Sequence, residues 1–584
     1  MTAAQRLRLV RRRLRLMLIV VLAMFCLFAL RLFQIQGIDS TAYAAMALQA
    51  GTAKNEIPAP RGKILDRNGA ELATSIDAVT LTADPTLTST SAPQIARVLI
   101  EHIGEKSDYF DLIDRLRQPN TRFVYLKKHV PAWKAAAALE ELSEAKLPGV
   151  FTQKEVIRSY PGGTLAANLI GFTNAENVGV VGLEAQYNDV LTGRDGSRTD
   201  EVSATGQRIP MSNSTVVEMQ PGKDVTTTID RDLQWYADKR LAEGVRASSA
   251  DWGLAITMDV KTCQIVQLSQ SPTFDPDAKS HMSADRTVAR SLQTVYEPGS
   301  VMKTITMAAL ADQGKIKADT PIVVPPSMMI DKFRIGDYWD HGTLHLTAAG
   351  VIAKSSNLGT IVAAQQMSDA TFYQYLRKFG FGSTSGVDLP GESAGILKKA
   401  QDWTRANHAT ISFGQGISVT AMQMVRAVGA IANGGVMCEP TVVSSIEGDD
   451  GKQHAVKNPS SEQVVSKEAA RIVTRMMEAV TADDGTAPAA QIDGYRVAGK
   501  TGTAWRVDPD TGRYVSGQNT VSFMGFAPAD NPRFLTYIVL DKPYSSAGGG
   551  STAAPVFQDI MSMALERFGV APTGAKSPKV AQTW

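Results

Sequence analysis

The 584-residue chain is long enough for two to four domains, and its 44% hydrophobic and 20% charged residues are an ordinary globular composition. Its net charge of +2 conceals an asymmetry: residues 1–15 hold Arg6, Arg8, Arg11, Arg12, Arg13 and Arg15 with no acid, so the remaining chain carries −4. That remainder has no basic excess of the kind nucleic-acid binding requires.

The arginines abut LMLIVVLAMFCLFAL, residues 16–30, a run without a polar side chain. Extended to Ile35, with Arg31 snorkelling toward the far interface, a helix over 16–35 is about 30 Å long, enough to cross a bilayer. After Arg31 no Lys or Arg follows until Lys54, so the positive-inside bias places the N-terminus in the cytoplasm and everything after residue 35 outside it. The nearest Ala-x-Ala, Ala42–Ala44, lies behind Gln34, Gln36 and Asp39, which favours an uncleaved anchor over a signal peptide. Residues 36–235 mix short strand-like and helical pieces. AVTLTADP (78–85) alternates as a strand does, and AWKAAAALEELSEAKLPGV (132–150) predicts a helix ended by Pro148-Gly149.

From about residue 250 the pattern changes. GLAITMDVKTCQIVQLSQS predicts two strands around a tight turn at Val260–Cys263. Helical runs follow Ser300, flank 346–366 and fill 419–433. Strands return near 495–507, 519–527 and 533–541 before a last helix at about 555–567 and a tail over 568–584. Strands first, helices in the middle and strands again predict an α+β fold, one sheet covered by helices. Cys26 falls in the apolar run, and the sequence leaves open whether Cys263 and Cys438 pair. No Cys/His spacing resembles a metal site; His341 and His345 in HGTLH read as a polar loop, and nothing calls for a metal or other cofactor.

Three short motifs carry chemistry. In YEPGSVMK (296–303), Ser300 follows a Pro-Gly break at a helix start and Lys303 lies one turn later on the same side, a nucleophile with its base beside it. The apolar face of Ile305, Ala308, Ala309 and Leu310 marks that helix, and Gly314 stops it. A second Ser-x-x-Lys, Ser143–Lys146, lacks the break and has no partner motifs. AKSSNLGT places Ser355 and Asn357 in a loop between helices, and GKTGTAW offers Lys500, Thr501, Gly502 and Thr503 on a strand, where a lysine, hydroxyls and a bare backbone suit a peptide ending in a carboxylate. GYRVAGKT (494–501) also matches the phosphate-loop pattern. That loop needs a buried strand before it and a helix after it, whereas AAQIDG precedes it and an extended segment running to a turn at Asp508–Gly512 follows. The Gly548–Gly550 run reads as a loop.

Taken in order, Ser-x-x-Lys, Ser-x-Asn and Lys-Thr-Gly are the motif set of penicillin-binding proteins and serine β-lactamases. RGKILDRNG (61–69), RSYPGG (158–163), GLE (182–184), TIDRDLQ (228–234), SFGQGISVTAMQM (412–424), NGG (433–435) and VAGKTGTA (497–504) extend the resemblance to class B penicillin-binding proteins over nearly the whole chain from residue 16. The resemblance implies a cytoplasmic tail (1–15), a transmembrane helix (16–35), an elongated mixed α/β pedestal that meets partners (36–235), a transpeptidase domain (236–567) and a C-terminal tail (568–584). It implies a monofunctional peptidoglycan D,D-transpeptidase that acts on stem peptides and is inhibited by β-lactam antibiotics. Such an enzyme sits in the cell (inner) membrane among division-complex membrane proteins, including a polytopic glycosyltransferase.

By the same resemblance Ser300 is the nucleophile and Lys303 its base, Ser355 relays a proton and Asn357 holds the substrate amide. Lys500, Thr501 and Thr503 hold the terminal carboxylate, Gly502 lets the substrate lie close, and the backbone N–H groups of Ser300 and Thr503 form the oxyanion hole. Lys303 is expected neutral and Lys500 charged. Arg61, Arg158 and Glu184 read as packing and salt-bridge residues. Anchor and length fit the septal branch of the family; the elongation branch, and a non-catalytic β-lactam sensor or scaffold, are the alternatives. Cys263 stands where the family usually places a glycine, which leaves the hairpin turn's geometry open.

Overall fold

A computed structural model describes residues 3–39, 41, 51–104, 108–203, 209, 214–278, 282–456, 460–508, 511, 513–544, 546–575 and 577–584. Ala42–Ala44 and part of the turn at 508–512 lie outside them. The chain divides into two units, residues 1–59 with 193–221 and residues 60–192 with 222–584. In the first, a continuous helix spans Ala3–Phe33, and a three-stranded antiparallel sheet joins Thr52–Ile57, Gly196–Glu201 and Ser214–Val217. From Arg8 through Ile38 the chain is long and apolar enough to cross a membrane and is unburied, as a lipid-facing helix must be.

In the second unit a long strand, Glu71–Ala83, pairs antiparallel with Val124–Pro131 on one side and Val150–Ser159 on the other. Leu81, Ile95, Leu99, Leu116, Leu126, Ala138 and Leu142 form a core of their own there. The helix expected over 132–150 spans Ala132–Glu144. The chain then turns through left-handed Lys146 and Gly149, and Pro148 cannot continue a helix. Where 61–69, 158–163 and 182–184 converge, Glu184 is wholly buried between two arginines: Arg61 Nε donates to Oε2 and Arg158 Nε to Oε1, both at 2.6 Å. Arg61 also donates to Asn188 and Thr192, and Arg158 to the Gly62 carbonyl. The salt-bridge expectation for these three residues is met.

The C-terminal half is built on a five-stranded antiparallel sheet of β1 (Trp252–Asp259), β2 (Ile265–Ser271), β3 (Ala498–Val507), β4 (Tyr514–Ala527) and β5 (Phe534–Asp541), in the order β2-β1-β5-β4-β3. Every residue of β1 and β5 is buried, so both faces are covered. The helices of this half are α1 (Arg231–Ser248), α2 (Met302–Asp312), α3 (Ala348–Ala353), α4 (Asn357–Ala364), α5 (Ala421–Ala432), α6 (Lys467–Thr481) and α7 (Ala554–Arg567); α1, α5, α6 and α7 pack on the sheet, α2 and α3 pack on α6, and α4 packs on α2 and α3. Side-chain caps start all but α2 and α7: Asp230 on Leu233 N, Thr347 on Gly350 N, Ser356 on Gly359 N, Thr420 on Gln423 N and Ser466 on Ala469 N. α2 has no single apolar face; Met302 through Ala311 are all buried, so it runs through the core with Lys303 inside. Strands Val443–Glu447 and Gln453–Ala455 leave this half to join Val225–Thr227 and Ile64–Leu65 in the pedestal sheet.

The tail is not wholly loose. Thr583 bridges Leu346, Thr347 N donates to Gln582 O at 3.0 Å, and the Trp584 ring packs edge-on against His345. Cys263 adopts φ +59°, the left-handed turn conformation a glycine would take, and is disulfide-bonded to Cys438 with Cα atoms 6.2 Å apart. The pairing left open by the sequence is thus present. A bond across 175 residues restricts the unfolded chain, so the Cys263→Ser/Cys438→Ser variant should lose about 2–4 kcal/mol. Urea unfolding with and without reductant measures it; identical midpoints for wild type under both conditions would contradict the expectation.

Candidate active site

Ser300 stands on a turn made by sequence. Pro298 has φ −71°, Gly299 takes φ +56°, and Ser300 is the middle residue of a short 3₁₀ turn, Gly299–Val301, that leads into α2. A Cβ on Gly299 would lie 2.7 Å from Thr503 O, and one on Gly502 would lie 2.2 Å from Ser522 Oγ and 3.2 Å from Pro298 O. The two glycines therefore let the Ser300 turn lie flush on β3 at Gly502–Thr503. The Ser300 side chain is half-buried, and among the described residues its hydroxyl has no hydrogen-bond partner.

The ammonium groups meet elsewhere. Lys303 Nζ donates to Ser355 O at 2.5 Å and Ser355 Oγ at 3.3 Å. Lys500 Nζ donates to the same Ser355 Oγ at 2.9 Å, to Thr501 O at 3.0 Å and to Thr501 Oγ1 at 3.1 Å. Ser355 is itself left-handed, φ +58°, in the turn between α3 and α4, a strained conformation that aims its carbonyl and hydroxyl at the lysines. Asn357 is the first residue of α4 instead of a loop residue; its Nδ2 donates to Gly336 O. Thr503 is exposed on β3. The structure thus joins Lys303, Ser355, Lys500 and Thr501 directly, sets Ser300 against Gly502 and Thr503, and gives Ser300 and Lys303 no hydrogen bond.

Both lysines are fully buried. Burial pushes Lys303 down to about 7, partly opposed by the Asp337 carboxylate. Lys500 is pushed well below the usual lysine range, by burial first and then by the Lys303 charge. In the free protein both causes favour a neutral Lys500, against the expectation of a charged one.

Two side chains escaped the sequence reading. Glu297, three residues before Ser300, is buried and raised to about 7 by that burial; it accepts from Gly416 N at 2.7 Å and Tyr514 Oη at 3.1 Å. Asp337 sits under the start of α4, where its carboxylate also meets His341, so His341 is not a mere polar loop residue. The Tyr-Glu-Pro-Gly run was a signal for Glu297; Asp337 had none that periodicity reveals.

The transpeptidase-domain model of penicillin-binding proteins matches residues 253–562, and the penicillin-binding protein dimerisation domain matches 56–227. The chain is 34% identical to penicillin-binding protein PbpB of Mycolicibacterium smegmatis, over 94% of this chain and 89% of that one. It is 31% identical to peptidoglycan D,D-transpeptidase FtsI of Escherichia coli K12, over 88% and 85%. The crystal structure of penicillin-binding protein 3 from Mycobacterium tuberculosis complexed with aztreonam superposes with a TM-score of 0.70 at 29% identity, covering 91% of this chain and 100% of that one. This chain belongs to the class B penicillin-binding proteins and is a transpeptidase of that family.

Proposed function

We propose that this chain is a septal peptidoglycan D,D-transpeptidase working through an acyl-enzyme on Ser300. The observation that carries the reading is the convergence of buried Lys303 and Lys500 on Ser355 Oγ, beside a nucleophile turn pressed onto β3. Ser300 Oγ attacks the carbonyl of the penultimate D-Ala while neutral Lys303 takes its proton; catalytic hydrogen bonds commonly tighten only once substrate is bound. The oxyanion is held by Ser300 and Thr503 N–H, worth about 3 kcal/mol per donor in other systems. Ser355 passes the proton to the leaving D-Ala amine, and Asn357 holds the substrate amide. A neighbouring stem's amine then displaces Ser300 from the ester, which forms the cross-link and frees the enzyme.

Lys500, Thr501 and Thr503 hold the terminal carboxylate, with Gly502 allowing close approach. The arriving carboxylate brings a negative charge to Lys500, which favours its ammonium form. The domain order follows the sequence reading: tail 1–15, membrane helix 16–35, pedestal 36–235, transpeptidase 236–567 and tail 568–584. The arginine-rich end lies in the cytoplasm by the positive-inside rule, with the catalytic domain outside. The pedestal meets membrane proteins of the division machinery, a polytopic glycosyltransferase among them. The septal assignment is supported by the anchor and by similarity to a protein named FtsI.

Penicillin should therefore acylate Ser300 and stay. Glu392 in PGESAG, the acid nearest in context to a hydrolytic glutamate, has no asparagine four residues on and accepts a hydrogen bond from Ser385 N at 2.7 Å. Mass spectrometry of penicillin-treated protein is expected to place one adduct on the peptide containing Ser300, and a chase with unlabelled drug should leave most fluorescent label bound after many minutes. An adduct on Ser143, or label lost within seconds, would overturn the reading.

A further inference from the structure

Behind the Ser-x-Asn turn lies a carboxylate that no step above uses. The Asp337 side chain is fully buried, and its two oxygens take four hydrogen bonds. Oδ1 accepts from Asn357 N at 2.5 Å and Leu358 N at 3.1 Å, while Oδ2 accepts from Ser356 Oγ at 2.6 Å and His341 Nε2 at 3.0 Å. A carboxylate has about four acceptor positions, so this one is full. Three of its donors belong to the turn and first residues of α4, the stretch that presents Ser355 and Asn357. The fourth, His341, is nearly buried, and its other ring nitrogen lies 2.6 Å from Gly342 O, which fixes the ring. Trp339 packs 5.3 Å from the same ring.

We propose that Asp337, braced by His341, is a positioning residue of the reaction, fixing the turn from which Ser355 and Asn357 reach the substrate. The inference rests on the site reading given above. Ser355 receives both catalytic lysines, so a shift of its left-handed turn moves the proton relay and the amide contact together. A misplacement of about 1 Å in such a constellation costs roughly 10²-fold in rate. Asp337 also acts through charge: it is faced by Lys303 from α2 and by Tyr338 and His341 from its own loop. Its negative charge favours the Lys303 ammonium, in opposition to burial.

These two effects separate in one experiment. The second-order acylation rate with a fluorescent penicillin is measured from pH 5.5 to 9 for the full chain, Asp337→Asn, His341→Gln, His341→Ala and Ser300→Ala. Asparagine keeps one acceptor oxygen and the shape but loses the charge. Asp337→Asn should lower the limiting rate by about 10²-fold and move the acid limb to lower pH, because Lys303 loses the charge that favours its protonated form. His341→Gln, which retains an N–H donor, should keep more of the rate than His341→Ala. A wild-type rate and limb in Asp337→Asn would overturn the proposal. So would a lowered rate with an unmoved limb and equal losses in both His341 variants, since that is what general loosening gives. Labelling of Ser300→Ala would instead overturn the nucleophile assignment, which keeps the two failures distinct.

Discussion

Lys303→Arg is expected to lower penicillin acylation by about 10²–10⁴-fold, the range that a positioned proton acceptor contributes. Arginine stays charged at any pH the protein survives, so it cannot take the Ser300 proton. In the wild type, burial holds Lys303 near 7. The fraction able to act as base therefore grows as pH rises through about 7, and the acylation rate should climb over that interval and level off above it. The variant's residual rate should show no such limb. Rapid-quench labelling from pH 5.5 to 9 reads both features, with a melting curve to show that the variant folds. Near-wild-type labelling at pH 7 would place the base elsewhere, and Ser355 would be the next group to test.

Glu184→Gln should destabilise the protein by about 3–5 kcal/mol, the cost of removing one partner from a buried ionic cluster. The loss of a hydrogen bond is the smaller part of that cost. Arg61 and Arg158 are 2% and 1% exposed at the side chain, and both would keep their charge without an anion. Among the described residues Arg158 Nη2 already lacks a hydrogen-bond partner. Folding in urea, followed by tryptophan fluorescence, gives the magnitude. Acylation per folded molecule is expected to be unchanged, because the cluster contributes no group to the Ser300 site. A loss below about 1 kcal/mol would mean that water or a rearranged acceptor satisfies the arginines.

These two cases show where sequence was sufficient. The meeting of Lys303, Ser355 and Lys500 was foreshadowed by particular residue types at short, fixed spacings, and the central sheet was legible because β1 and β5 are mostly apolar runs. Arg61, Arg158 and Glu184 were legible as charged residues inside motif-like stretches, although their convergence on one carboxylate is tertiary. Asp337 was not: its four donors come from residues 341 and 356–358, a separation that no local period records. The pressure toward a neutral Lys500 was hidden for a related reason. Sequence shows that a lysine is present, whereas its protonation depends on complete burial and on a second ammonium brought close by folding. Cys263 fell between these cases, since its turn was readable and its left-handed backbone and partner were not.

The Cys263–Cys438 bond closes a ring in the covalent graph of the chain. Ser300, Lys303, Ser355 and Asn357 lie on that ring, while Lys500, Thr501, Gly502 and Thr503 lie on the branch that leaves it at Cys438. A single proteolytic cut anywhere from 264 to 437 opens the ring without dividing the molecule, so on a non-reducing gel the nicked protein runs as one band carrying all its penicillin label. Thiol treatment then splits it, and the label follows whichever fragment contains Ser300.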